Sequence, residues 1–156
     1  MRRFLPLLIS LALAYAAALI GSLFTVDAID TWYATLARPL LSPPNWIFGP
    51  VWTTLYAFMA IAAWRIYERR SAHPAATRLL GIYLAHLAVN TLWSIVFFGM
   101  QNPLLALLII GVLWGLIFFL MLRFYRIDRT AAYLFMPYLA WVTFATYLNA
   151  AIVALN

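Results

Sequence analysis

Residues 104–125 read LLALLIIGVLWGLIFFLMLRFY, a stretch whose single charged residue, Arg123, stands near its end. About 20 mostly apolar residues in helical form cross the hydrocarbon of a bilayer. Four further segments of the same kind flank it: Leu5 to Phe24, Trp46 to Tyr67, Thr77 to Met100 and Thr130 to Leu155. Periodicity alone does not separate helix from buried strand in such runs, but their length and their Ala and Leu content favour helix. An odd number of spans also speaks against a bacterial barrel. The reading is all-α, one transmembrane domain of five helices over residues 1–156.

Composition agrees. Of the 156 residues 67% are hydrophobic and 9% charged, more apolar surface than one water-soluble globule of this size can hide. The net charge of +6 comes entirely from arginine, placed at the ends of apolar segments and not along a solvated face, which argues against nucleic acid as a partner. Cysteine is absent, so disulfides, thiolate metal sites and cysteine nucleophiles are excluded.

Arg2 and Arg3, the apolar run after them and Ala14-Tyr15-Ala16 imitate a cleavable signal peptide. The run continues to Phe24, longer than a signal core, and is read as a span. Five spans then put nine of the ten arginines on one side, with Arg38, Asp27 and Asp30 on the other. The positive-inside rule makes the amino terminus cytoplasmic and the carboxyl terminus external, for direct insertion into a bacterial cell membrane. Residues 25–45 form the one long connection. It holds Thr31 to Leu36, which has the character of a short interfacial helix, and Pro43-Pro44, which stiffen the chain before the second span. Composition leaves a lid and a plain linker equally open.

Trp46 and Trp64 fall near the ends of the second span, where amphipathic rings suit the headgroup layer. Trp114 and Trp141 fall at hydrocarbon depth, where an indole N–H needs a partner that lipid does not supply, so both are expected to face inward. On the third span His86, Asn90, Trp93 and Phe97 share one helical face. Asn90, near mid-membrane, must hydrogen-bond across the bundle. Phe48, Trp52 and Tyr56 repeat the spacing on the second span, and Trp141, Ala145 and Asn149 on the fifth. Any single stripe is explained by packing. Several together, rich in flat rings and amides and free of charge, describe a pocket for a flat, largely apolar ligand. No carboxylate, Lys or Arg lies deep in a span, which disfavours an ion-coupled relay. His86 reads as a packed, hydrogen-bonded side chain before a haem-iron ligand. No nucleophile–base pair, phosphate loop or metal-ligand spacing is visible, and no obligatory cofactor or metal is expected.

The segments Thr31-Trp32-Tyr33, Ala37-Arg38-Pro39, Ser42-Pro43-Pro44, Phe48 to Tyr56, Asn90 to Ser94 with Phe97-Phe98-Gly99, and Pro137 to Asn149 stand in an order and spacing that resembles the translocator protein family, the tryptophan-rich sensory proteins, over nearly the whole chain. The resemblance implies a homodimer of five-helix bundles whose pocket opens toward the first long loop. It implies binding of porphyrins such as protoporphyrin IX, and of isoquinoline carboxamides. Carried over by position, ligand contacts fall on Tyr33, Trp52, Tyr56, Asn90, Trp93, Trp114, Trp141 and Ala145, with Phe97 on the same stripe. Pro43, Pro44 and Pro137 take structural roles.

Two departures stand out. Leu40-Leu41 occupy a place where the family often has Trp, which removes an aromatic from the lid. No basic residue follows Tyr147, so the cholesterol motif of animal members is absent. The expected function is a porphyrin receptor or transporter in tetrapyrrole handling and stress sensing. The alternatives are light-dependent or oxidative breakdown of the bound porphyrin, and a structural or regulatory membrane subunit.

Overall fold

The computed structural model describes residues 4–156. Arg2 and Arg3, on which the signal-peptide comparison and part of the orientation argument rest, lie outside them. The described residues form six α-helices: α1 Leu5–Asp30, α2 Trp32–Thr35, α3 Phe48–Glu68, α4 Ala75–Ser94, α5 Pro103–Tyr125 and α6 Arg129–Leu155. All but α2 are long and apolar enough to cross a membrane. A single 3-10 turn, Asn45–Ile47, leads into α3, and a π turn, Ile95–Gly99, extends α4.

The long helices form a closed ring in the order α1, α3, α6, α5, α4, as their contacts show. The ring is inside-out relative to a soluble protein. Tyr138, Phe124, Phe135 and Met59 are fully buried within it, whereas Leu23 and Leu108 on its outer face are 71% and 66% exposed, an apolar surface that only lipid covers without penalty. Trp46 is 72% exposed, as an interfacial ring should be. Trp64 stands half-buried near the other end of α3, and its indole nitrogen is buried without a hydrogen-bond partner among the described residues.

Element ends are set by local chemistry. α1 continues six residues past Phe24, so the connection expected over 25–45 is shorter than its sequence implied. No Gly or Pro interrupts residues 25–30, and the Thr25 hydroxyl satisfies the Gly21 carbonyl at 2.9 Å instead of ending the helix. Pro43 and Pro44 lie where a stiff element was expected, just ahead of the 3-10 turn. The Asn156 side chain pairs with the backbone of Ala37 in both directions, at 3.0 and 3.1 Å, and so ties this connection to the end of α6. Gln101 adopts a left-handed conformation, φ 51°, to reverse the chain between the π turn and α5. Asn102 then caps α5 by accepting from the Leu105 amide, and Pro103 occupies the first turn, where its missing N–H costs nothing. Pro137 lies inside α6 and leaves one carbonyl a turn earlier without its helical donor.

The opposite end is held by charge. Asp128 caps α6 through the Ala131 amide at 3.1 Å and pairs with Arg65 of α3 and with Arg69, just past its end, at 2.9 and 2.8 Å. Burial raises the pKa of this carboxyl, but the Arg65 hydrogen bond, the Ala131 amide and the two guanidinium charges outweigh it and hold the group below the value of a free aspartate. A depressed carboxyl stabilises the fold fully above about pH 4 and loses that contribution as the solution becomes more acid. Both arginines are partly exposed, so the pair carries less than a buried bridge. Asp128→Ala is expected to cost about 1–2 kcal/mol, mostly through the lost cap, and to flatten the acid limb of a thermal-unfolding profile in detergent. An unchanged acid limb would show that another group carries it.

Candidate ligand-binding cavity

At the α2 end of the ring a cavity of about 580 Å³ opens among α1, α3, α4 and α6. α3 contributes Phe48, Trp52 and Tyr56, at one-turn spacing along its inner face. α4 and its π turn contribute Asn90, Trp93, Ser94 and Phe98, and α6 contributes Trp141 and Ala145. Six residues predicted from sequence therefore converge on one void: Trp52, Tyr56, Asn90, Trp93, Trp141 and Ala145. The rings brace one another at the angles that aromatic quadrupoles favour. Phe48 meets Trp141 edge-on at 5.9 Å, and Trp52 meets Tyr138 edge-on at 6.2 Å.

Three predicted residues lie elsewhere. Tyr33 is buried beside the cavity and not in its wall, packed against Phe48 and Phe98, which do line it, with Arg38 5.3 Å from its ring. Burial raises the Tyr33 phenol above its ordinary value although Arg38 pulls the other way, so it stays a neutral O–H. Phe97 is not in the cavity wall. It stacks on Trp93 at 5.4 Å without lining the void, and packs on Trp32 at 5.6 Å, which seats the short helix α2. Phe98, on the same π turn, lines the cavity in its place. Trp114 corrects the expectation that it faces the interior. It is 36% exposed on α5, stacked on Phe118 at 5.4 Å, and its N–H is satisfied by Thr143 Oγ1 of the neighbouring α6 at 2.8 Å. A hydroxyl on the next helix supplied the partner that inward burial was invoked to provide.

Sequence reasoning missed the α1 wall. Tyr15, Ala18, Ser22, Thr25 and Ile29 all line the cavity at spacings of three and four. Small and hydroxyl-bearing residues at that spacing were the available signal, hidden because the whole segment is apolar. Tyr15 also donates to the Thr53 carbonyl at 3.0 Å, linking α1 to α3 beside the void.

Beneath the cavity runs a chain of buried hydrogen bonds. Tyr56 Oη donates to Asn90 Oδ1 at 2.8 Å, and Asn90 Nδ2 donates to Tyr138 Oη at 2.6 Å. With that hydroxyl accepting from Asn90, its proton goes to His86 Nε2 at 2.8 Å, and His86 Nδ1–H in turn donates to the Tyr83 carbonyl at 3.2 Å. The tautomer follows from the network. His86 is thus a packed structural residue, as its sequence context indicated. Asn90 keeps one amide N–H uncommitted, and Trp93 does not, because its indole donates to Asn149 Oδ1 at 3.2 Å. The Trp141 indole nitrogen is buried with no partner among the described residues. The cavity accordingly offers faces of Trp52, Trp93 and Trp141, an N–H of Asn90, and no charge. Among the described residues no three metal-ligating side chains cluster.

Residues 9–155 match the model of the TspO/MBR family. The chain belongs to that family. It is 38% identical to the tryptophan-rich protein TspO of Archaeoglobus fulgidus over 97% of both chains. It is 40% identical to the tryptophan-rich sensory protein of Cereibacter sphaeroides, over 81% of this chain and 78% of that one. Against the human translocator protein identity is 34%, over 83% of this chain and 78% of the human one. With five helices able to cross a membrane and relatives of this kind, it is an integral membrane protein of the TspO/MBR family.

If the buried chain holds α3, α4 and α6 together, Tyr138→Phe should be costly, since one hydroxyl serves both Asn90 and His86. The expected loss is about 1–3 kcal/mol, read as a lower unfolding temperature in detergent. The same change at exposed Tyr125 serves as control and should leave that temperature where it is.

Proposed function

We propose that this protein is a membrane receptor or transporter that takes a porphyrin into the cavity at the α2 end. One observation carries the reading: flat aromatic faces from α3, α4 and α6 surround a single void of about 580 Å³, a size suited to a small-molecule ligand. A macrocycle stacks on Trp52, Trp93 and Trp141, while Asn90 and the unpartnered Trp141 N–H donate to its acceptors. Tyr33 and the connection through Pro43-Pro44, clasped by Asn156, cover the entrance. The names of two relatives, tryptophan-rich sensory protein and translocator protein, agree with the receptor or transporter part of this reading. The arginine-rich end, with Arg65, Arg69 and Asp128, faces the cytoplasm in this reading, so that the cavity opens outward.

An aromatic pair contributes about 0.5–1.5 kcal/mol, so losing one indole weakens binding by roughly tenfold at most. In a protoporphyrin titration followed by tryptophan quenching, Trp141→Ala is expected to bind about tenfold more weakly, and Trp141→Phe to retain most of the affinity. Equal affinity of wild type and Trp141→Ala sinks the site.

The indoles at the cavity wall also support a second reading, light-dependent breakdown of the bound pigment, in which the porphyrin is the photosensitiser and no acid–base residue is needed. Illumination of the complex in air separates the two. Pigment loss faster than in detergent alone, and abolished in Trp93→Phe and Trp141→Phe, identifies breakdown; loss at the detergent rate identifies a binder.

A further inference from the structure

A second void, of about 680 Å³, lies among α1, α3 and α4 at the arginine-rich end, remote from α2. Its long walls are aliphatic, with Ile9 and Leu13 of α1 and Leu80 and Leu84 of α4, and Glu68 and Arg70 belong to its outer end. Trp64 and Tyr83 also line it. Neither the Trp64 indole nitrogen nor the Tyr83 hydroxyl has a hydrogen-bond partner among the described residues, and both atoms are buried. Tyr83 as a whole is 2% exposed. A third polar wall residue, Ser10, is satisfied by the Ala60 carbonyl at 2.7 Å, so the deficit belongs to two particular groups and not to the cavity in general. Within a bilayer no bulk water makes up the missing bonds.

The mouth holds one guanidinium and one carboxylate, Arg70 and Glu68. Arg65 and Arg69 are committed to Asp128, whereas neither Arg70 nor Glu68 forms an ion pair among the described residues. The Arg70 guanidinium lies 3.6 Å from the Tyr67 ring centroid and gives one N–H to the Tyr67 carbonyl at 2.8 Å, which fixes the group and leaves its other donors available.

We propose that this void holds one glycerophospholipid from the surrounding leaflet. The phosphate meets Arg70, an ester carbonyl takes the hydrogen bonds of Trp64 and Tyr83, and an acyl chain lies along the Leu13 and Leu84 wall. Both orphaned atoms lie beneath the wall surface, in side chains that line the void. The spacing follows the lipid's own order of parts. Trp64 lies one helical turn, about 6 Å of rise, before α3 ends at Glu68, and Arg70 follows two residues beyond that end. A headgroup layer is about 5–7 Å deep, being half the difference between the full bilayer and its hydrocarbon core. A fatty acid, with a single polar group, does not serve a cation and separate neutral donors a turn deeper. The proposal is independent of what the other cavity binds.

The test uses the full chain, purified in detergent, stripped of lipid and titrated with dioctanoylphosphatidylglycerol while native mass spectrometry counts bound molecules. One saturable lipid per chain is expected. Arg70→Ala should weaken it about tenfold, and Trp64→Phe and Tyr83→Phe, which keep the rings, several-fold each. Trp46→Phe, which removes an exposed indole N–H at the other end, should change nothing. Dioctanoylglycerol, lacking phosphate, should bind wild type and Arg70→Ala equally weakly. Equal lipid affinity in wild type and all three site variants overturns the proposal, as does full displacement of the lipid by glycerol 3-phosphate. Unchanged circular dichroism and unfolding temperature in detergent identify variants that are folded.

Discussion

The amide of Asn90 ties three helices together at the centre of a small buried polar network. It accepts from Tyr56 on α3 and donates to Tyr138 on α6, and through Tyr138 it fixes His86 on its own helix. In lipid there is no hydrophobic force to drive helix against helix, because the tails are as apolar as leucine. Buried polar groups that must find partners therefore select the arrangement, and here the selected arrangement turns the inner faces of α3, α4 and α6 toward one another. The aromatic cavity sits directly on this floor, and Tyr56 and Asn90 belong to both.

α1 stands outside that tie. Its links to the rest run through single hydroxyls donating to backbone carbonyls, Ser10 to Ala60, Tyr15 to Thr53 and, from α4, Thr91 to Ala17. Close approach does the remainder. A Cβ added at Gly99 would meet the Phe24 ring at 2.7 Å, and one at Gly21 would meet Ser94 at 3.3 Å. The wall of the cavity with the fewest polar ties is thus also the one whose outer face is most exposed to lipid.

The five spans were legible because hydrocarbon thickness imposes a length that composition cannot disguise. The stripes on α3, α4 and α6 were legible because each carries a polar or aromatic residue whose chemistry rules out lipid contact. What escaped did so for two reasons. An all-apolar segment such as α1 has no contrast from which to read an inner face, so Ser22 and Thr25 passed unnoticed, and a hydroxyl one helix away, Thr143, changed the meaning of Trp114. The shift from Phe97 to Phe98 depends on a local departure from 3.6 residues per turn that no helical periodicity encodes.

That departure carries a consequence for how such a wall can diversify. A π turn amounts to one supernumerary residue lodged in an otherwise regular helix. Deleting Val96 would rewind the segment and still leave a phenylalanine four residues after Trp93, with the floor of hydrogen bonds left in place. Lineages that gain or lose that one codon would thereby absorb the change within a single turn, and the chamber would keep its aromatic wall.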